Sequence, residues 1–178
     1  MQNNVNGDYN VAIGYESMKS ASGNSHFNNV AIGYRSLLSI TTGGSNVSIG
    51  SDSAYSLTTQ NVNVIIGVAS GYSITGSDSI DNVIIGGYAG TGGSGNLKRV
   101  VAIGKNALNS TGSNNITGDI AIGYNSLTAL TSGARNTAVG YESGKVVSTH
   151  NDNTFVGYQS GRSTTGEGNV SIGKYAMY

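Results

Sequence analysis

The stretch "NVAIGYESM" at residues 10–18 returns as "NVAIGYRSL" at residues 29–37. Two near copies nineteen residues apart announce a period, and the glycine that follows Ile or Val measures it. Such glycines stand at Gly14, Gly33, Gly50, Gly67, Gly86, Gly104, Gly123, Gly140, Gly157 and Gly173, spaced 16 to 19 residues apart over the whole chain. That period is too short for a propeller blade, and the repeat is too rich in glycine and β-branched residues for a helical one. It fits one coil of a parallel β-solenoid, an all-β fold of about ten coils forming a single domain over residues 1–178.

Counting from the glycine, position −1 is filled by Ile13, Ile32, Ile49, Ile66, Ile85, Ile103, Ile122, Val139, Val156 and Ile172. Position −3 is filled by Val11, Val30, Val47, Val64, Val83, Val101, Ile120, Thr137, Thr154 and Val170. Residues two apart share one face of a strand, and stacked coils align them in columns, so these columns are predicted to form the core. The position between them reads Ala12, Ala31, Ser48, Ile65, Ile84, Ala102, Ala121, Ala138, Phe155 and Ser171, without one charge. A face meeting water would carry charges in several coils, so this one is expected to be covered by another chain. Identical chains supply such a cover by symmetry, and a homotrimer is expected, with another closed oligomer as the alternative.

Position +3 is always Ser or Ala and is read as a tight corner. Apolar residues at +7, among them Ile40, Leu57, Ile74, Leu130 and Val147, mark a second extended segment. Turns such as "TTGGSN" and "TTGEGN" then close the coil, with glycine free to take positive φ and asparagine able to bond nearby backbone. Coil length varies mainly there, which makes the turns the outer edge and the place for specific recognition.

With 28 glycines and 10% charged residues at zero net charge, the chain has no electrostatic footprint for nucleic acid or a membrane surface. The same low charge suits a disordered linker, but the phased Val and Ile argue for a packed fold. Without cysteine there is neither a disulfide framework nor a thiolate metal site. No apolar run is long enough for membrane insertion, and the polar start "MQNNVNGDYN" does not read as a signal peptide. An extracellular chain would then have lost its leader or left the cell by another route, such as lysis.

Motifs that suggest chemistry fail on context. "GTGGSG" at 90–95 matches a dinucleotide fingerprint but lies in a turn that leads to another strand, whereas phosphate binding needs a helix N-terminus. "ESGKV" around Lys145 has its first glycine misplaced for a phosphate loop and Val146 where a hydroxyl belongs. His26 and His150 fall in separate coils and are read as surface residues. Asp78, Asp81, Asp119 and Asp152 near turns are weak calcium candidates at most, and no metal or cofactor is expected. Glu16, Arg35 and Asp52 should stack as alternating charges that fix register. No close carboxylate pair suggests a hydrolase, so no enzyme activity is expected. Tyr15, Tyr34, Tyr124, Tyr141 and Tyr158 follow the glycine as a ladder, for packing or for sugar binding.

The recurrent "N-V-[AS]-I-G-x-x-[SA]" resembles the head repeats of trimeric autotransporter adhesins. "NTAVGYESG" (136–144) and "NTFVGYQSG" (153–161) are similar to repeats in tailed-phage and other surface fibres. The resemblance implies a trimer of left-handed parallel β-rolls serving as a rigid stalk or adhesive head. The expected role is therefore a structural fibre on a virion or cell surface, outside the cell, whose main partner is itself. A host glycan or receptor bound by the variable turns is the alternative. Neither end carries an atypical capping coil, so the chain reads as a piece of a longer fibre or as a filament subunit that stacks end to end.

Overall fold

The computed structural model describes residues 7–19 and 25–178; residues 1–6, most of the segment at the start of the chain, lie outside it. Each repeat lays down one three-residue strand ending just before its glycine: β1 (Val11–Ile13), β2 (Val30–Ile32), β3 (Val47–Ile49), β4 (Val64–Ile66) and β5 (Val83–Ile85). The series continues through β7 (Val101–Ile103), β9 (Ile120–Ile122), β10 (Thr137–Val139), β11 (Thr154–Val156) and β12 (Val170–Ile172). All ten pair in parallel in one sheet in chain order with no slip of register, Val over Val and Ile over Ile from β1 to β7, as in Val30 on Val47 and Ile32 on Ile49, and mixed Val, Ile and Thr after that, as in Thr137 on Ile120. The two longest consecutive turns add a small parallel sheet of β6 (Leu97–Lys98) and β8 (Ile116–Thr117). The chain is a β-solenoid, as the period predicts.

Its inside and outside are the reverse of the sequence expectation. The middle column points inward: Ala31, Ser48, Ile65, Ile84, Ala102, Ala121, Ala138 and Phe155 are buried. The columns expected as core face outward. Val30, Ile32, Val47, Ile49, Val64, Ile66, Val83, Ile85, Val101, Ile103, Ile120, Ile122 and Val139 are only half-buried, each shielded by its neighbours above and below. Val11, Ile13, Val156, Val170 and Ile172, in the terminal coils, are exposed, Ile172 at 70%.

The reason is volume. After the glycine the chain folds back so that position +4 faces the strand across the interior, and the two must share one space. Where the strand gives Ala31, Ala102 or Ala121, position +4 gives Leu37, Leu108 or Leu127, all fully buried. Where the strand gives Ile65 or Ile84, position +4 is Gly71 or Gly90, and a Cβ there would lie 3.1 and 2.9 Å from the isoleucine side chain. Phe155 is matched by Gly161 of its own coil and by Gly144 of the coil before, where a Cβ would come within 2.9 Å of its ring. Small residues on the strand are thus the lining of a narrow core filled from the opposite wall, at the close packing of protein interiors. The expected apolar residues at +7, Ile40, Leu57, Ile74, Leu130 and Val147, complete it.

Three polar ladders join the coils. Each repeat glycine has φ between +125° and +137°, and each except the last, Gly173, has the next coil's glycine directly against it, so that a side chain is excluded by both backbone and space. The serines at +3 are buried and donate to the next strand's middle carbonyl, as Ser36 to Ser48 (3.0 Å) and Ser126 to Ala138 (2.9 Å). These residues bond coil to coil, beyond the corner role read from sequence. One residue before eight of the ten strands of the main sheet stands an asparagine, buried in all but the two terminal coils. Asn46 donates its N–H and its Nδ2 to Asn29 Oδ1 (3.0 and 3.1 Å) and also donates Nδ2 to the Gln60 carbonyl (2.8 Å). Its own Oδ1 then receives both donors of Asn63 (3.0 Å each). Every polar atom of that amide is satisfied. Asn46→Ala is expected to cost about 3 kcal/mol, because it strands the Asn63 N–H and the Gln60 carbonyl in the interior; urea unfolding curves measure it.

Candidate functional site

The feature that stands out on the surface is the outward strand face. Its two columns, at −3 and −1, carry Val, Ile and Thr through all ten strands without a charge. Beside them runs the residue after the glycine, where Tyr34, Tyr124, Tyr141 and Tyr158 are 40–45% exposed. On the other flank, just before the buried asparagines, the surface turns ionic. Arg135 grips Asp152 with Nε and Nη2 at 2.6 and 2.9 Å, and Arg99 lies 4.0 Å from Asp81. An apolar strip with a charged margin is how the centre and rim of a protein interface are arranged.

The structure brings the five tyrosines together as two separate stacks. Tyr15 lies on Tyr34 with centroids 5.7 Å apart and planes 8° from parallel. Tyr124, Tyr141 and Tyr158 follow at 5.1 and 5.2 Å, and Tyr175 meets Tyr158 edge-on. Between the stacks, Ser51, Val68, Gly87 and Lys105 interrupt the column. The rings of each stack turn their faces to each other. A sugar platform needs free faces, so this geometry is that of packing along the solenoid.

A second stack fills part of the gap and was not recognised in the sequence: Tyr55 on Tyr72, 4.8 Å apart, four residues further along the coil. Arg35 joins the two, its guanidinium 4.7 Å from the Tyr34 ring centre and 5.1 Å from that of Tyr55, with Asp52 at 2.8 Å. The expected charge column is therefore real for Arg35 and Asp52, whereas Glu16 turns to Lys19 (2.5 Å). The recurrence of tyrosine at +5 in adjacent coils was the available signal.

The other candidates do not converge. Gly90–Gly95 leads into β6, not a helix. Lys145 is bound by Glu142 (2.6 Å), which Arg162 and Gln159 also approach, and the Lys145 bond holds the Glu142 carboxyl below its usual range. Asp78 pairs with Lys98, and Asp81 and Asp152 with their arginines, so each of these calcium candidates is already matched by a cation. His26 corrects the surface reading. It is fully buried because its side chain enters the coil at the position filled by Gly43 and Gln60 in the next two coils, and this burial lowers its pKa. Asp119 also lies fully buried, among the asparagines. Compared with protein-family models, with curated proteins and with solved structures, the chain matches none.

Proposed function

We propose that this chain is a structural fibre module that works as a closed homotrimer, its subunits packed side by side through the Val and Ile face. The observation that carries the reading is the run of uncharged β-branched side chains facing outward through ten strands. At the strand spacing that strip is about 45 Å long, and a partner must match its period along the whole length. A second copy in parallel does so, each coil meeting the same uncharged Val, Ile or Thr pair of its counterpart. Closed symmetry then leaves no such strip open, which two chains packed face to face or three around an axis both achieve. The likeness of the repeat to fibre head repeats favours three, and it favours a virion or cell surface as the setting. The solenoid supports a mechanical role: each coil bonds only to its neighbours, so length is added without changing the cross-section.

Light scattering on a sizing column, with negative-stain images across a dilution series, tests this reading. A short rod of three chain masses that persists on dilution is the expected result. A single-chain mass at all concentrations would overturn it, and long rods that shorten on dilution would replace it with an end-to-end filament.

A further inference from the structure

The asparagine ladder runs through Asn10, Asn29, Asn46, Asn63 and Asn82, and resumes at Asn136, Asn153 and Asn169. The two coils between carry Val100 and Asp119. Val100 donates its N–H to Asn82 Oδ1 (3.0 Å) but has no side-chain oxygen to offer the next coil. Asp119 plays half of the ladder part: Oδ1 receives the N–H and Nδ2 of Asn136 at 2.8 and 2.9 Å. Its Oδ2 is buried with no hydrogen-bond partner.

That oxygen occupies the place of an amide Nδ2. In the intact steps Nδ2 donates across the coil to a carbonyl 13 to 16 residues on, and 14 on in the three steps most like this one: Asn29 to Gly43 (2.9 Å), Asn46 to Gln60 (2.8 Å) and Asn136 to His150 (2.9 Å). The counterpart for Asp119 is Gly133, which stacks under the His150 carbonyl as Gly43 stacks under that of Gln60. If Asp119 follows the ladder, its ionised carboxylate presents an acceptor, where an amide presents a donor, to the Gly133 carbonyl. A proton on Oδ2 supplies the missing donor. We propose that Asp119 is an acid-operated lock: protonated, it completes the ladder by donating Oδ2–H to the Gly133 carbonyl, and ionised, it leaves this one step of the solenoid weakened.

The surroundings agree. Burial, the largest influence, pushes the carboxyl up to about 6, against the bonds from Asn136, the charge of Arg135 and the nearby backbone N–H of Thr117, which makes no hydrogen bond to Oδ2 by distance and angle. Arg135, on the following coil, is the cation facing it, and that guanidinium is already held by Asp152. On the preceding coil, Lys98 and Arg99 belong to Asp78 and Asp81. The immediate ladder neighbours, Val100 and Asn136, are neutral. Because the folded group binds its proton more tightly than the unfolded one, the lock holds at low pH and is lost as pH rises from about 4 through about 6.

Asp119→Asn restores the amide, and melting of both proteins at equal concentration from pH 4 to pH 8 provides the test. At pH 4, the acid end of the range, the two should melt together. At pH 7.5 the variant should melt about 5–10 °C higher. Difference infrared spectra of the wild-type protein between pH 5 and pH 8 should also show a buried protonated carboxyl band that Asp119→Asn lacks. Equal melting across the range, or no such band at pH 5, would overturn the proposal. Neither readout depends on the number of subunits.

Discussion

Gly104→Ala should abolish the cooperative fold of the central coils, while Gly87→Ala, seventeen residues earlier, should leave it intact. At Gly104 φ is +128°, and an added Cβ would sit 2.6 Å from the Gly123 carbonyl oxygen and 2.7 Å from its carbon. Neither partner can yield, since both are backbone in a ladder that continues above and below. Strained φ and backbone overlap together should cost on the order of 4 kcal/mol or more. Gly87 has ordinary φ, and its Cβ would meet only the Val68 carbonyl oxygen at 3.9 Å. Alanine there restricts the unfolded chain and should be neutral or stabilising by up to about 1 kcal/mol. Far-ultraviolet circular dichroism during urea unfolding separates the two; a Gly104→Ala protein as stable as its parent would show that the coils do not stack glycine on glycine.

The second large effect comes from adjacent residues on opposite faces. Ala102→Asp places a carboxylate in the narrow core beside Leu108 and should unfold the chain, at a cost of several kcal/mol. Ile103→Asp places the same group on the outward face, where water or a partner subunit meets it. This variant should keep its strand signal and lose its oligomeric mass, because three like charges would converge in the interface. Light scattering and circular dichroism on the pair distinguish the alternatives. An Ile103→Asp protein that folds and retains the parent mass would refute the interface, whereas one that unfolds while Ala102→Asp folds would restore the Val and Ile columns to the interior.

How the sequence misleads on that point is instructive. Alternation by two tells which residues share a face, but not which face is inside, and the preference for placing the larger apolar side chains inward picked Val and Ile. The deciding information lay further along the coil. Alanine on the strand goes with leucine at +4, in Ala31 and Leu37 or Ala121 and Leu127, and isoleucine goes with glycine, in Ile65 and Gly71 or Ile84 and Gly90. Only residues that share a space need complementary volumes. Asparagine at −4 was equally visible, yet its usual place in turns hid its role as a buried ladder; Asp119 gains meaning only once that ladder is seen. The period, the glycine column and the parallel coil architecture were open to reading because they repeat in every copy. The tyrosine stack of Tyr55 and Tyr72 was not, since it occupies only two coils.

The exchange of volume across each coil also bears on how such a chain can change length. A repeat whose strand and opposite wall balance internally, such as the one holding Ala31 and Leu37, is a self-sufficient cassette that can be copied or lost without disturbing the packing on either side. The repeat holding Ala138 and Gly144 is not, because neither residue fills its interior, and Leu127 of the repeat before and Phe155 of the repeat after do. Those three coils form one unit of inheritance, so growth or shortening of the chain by whole repeats must keep them together or replace them jointly.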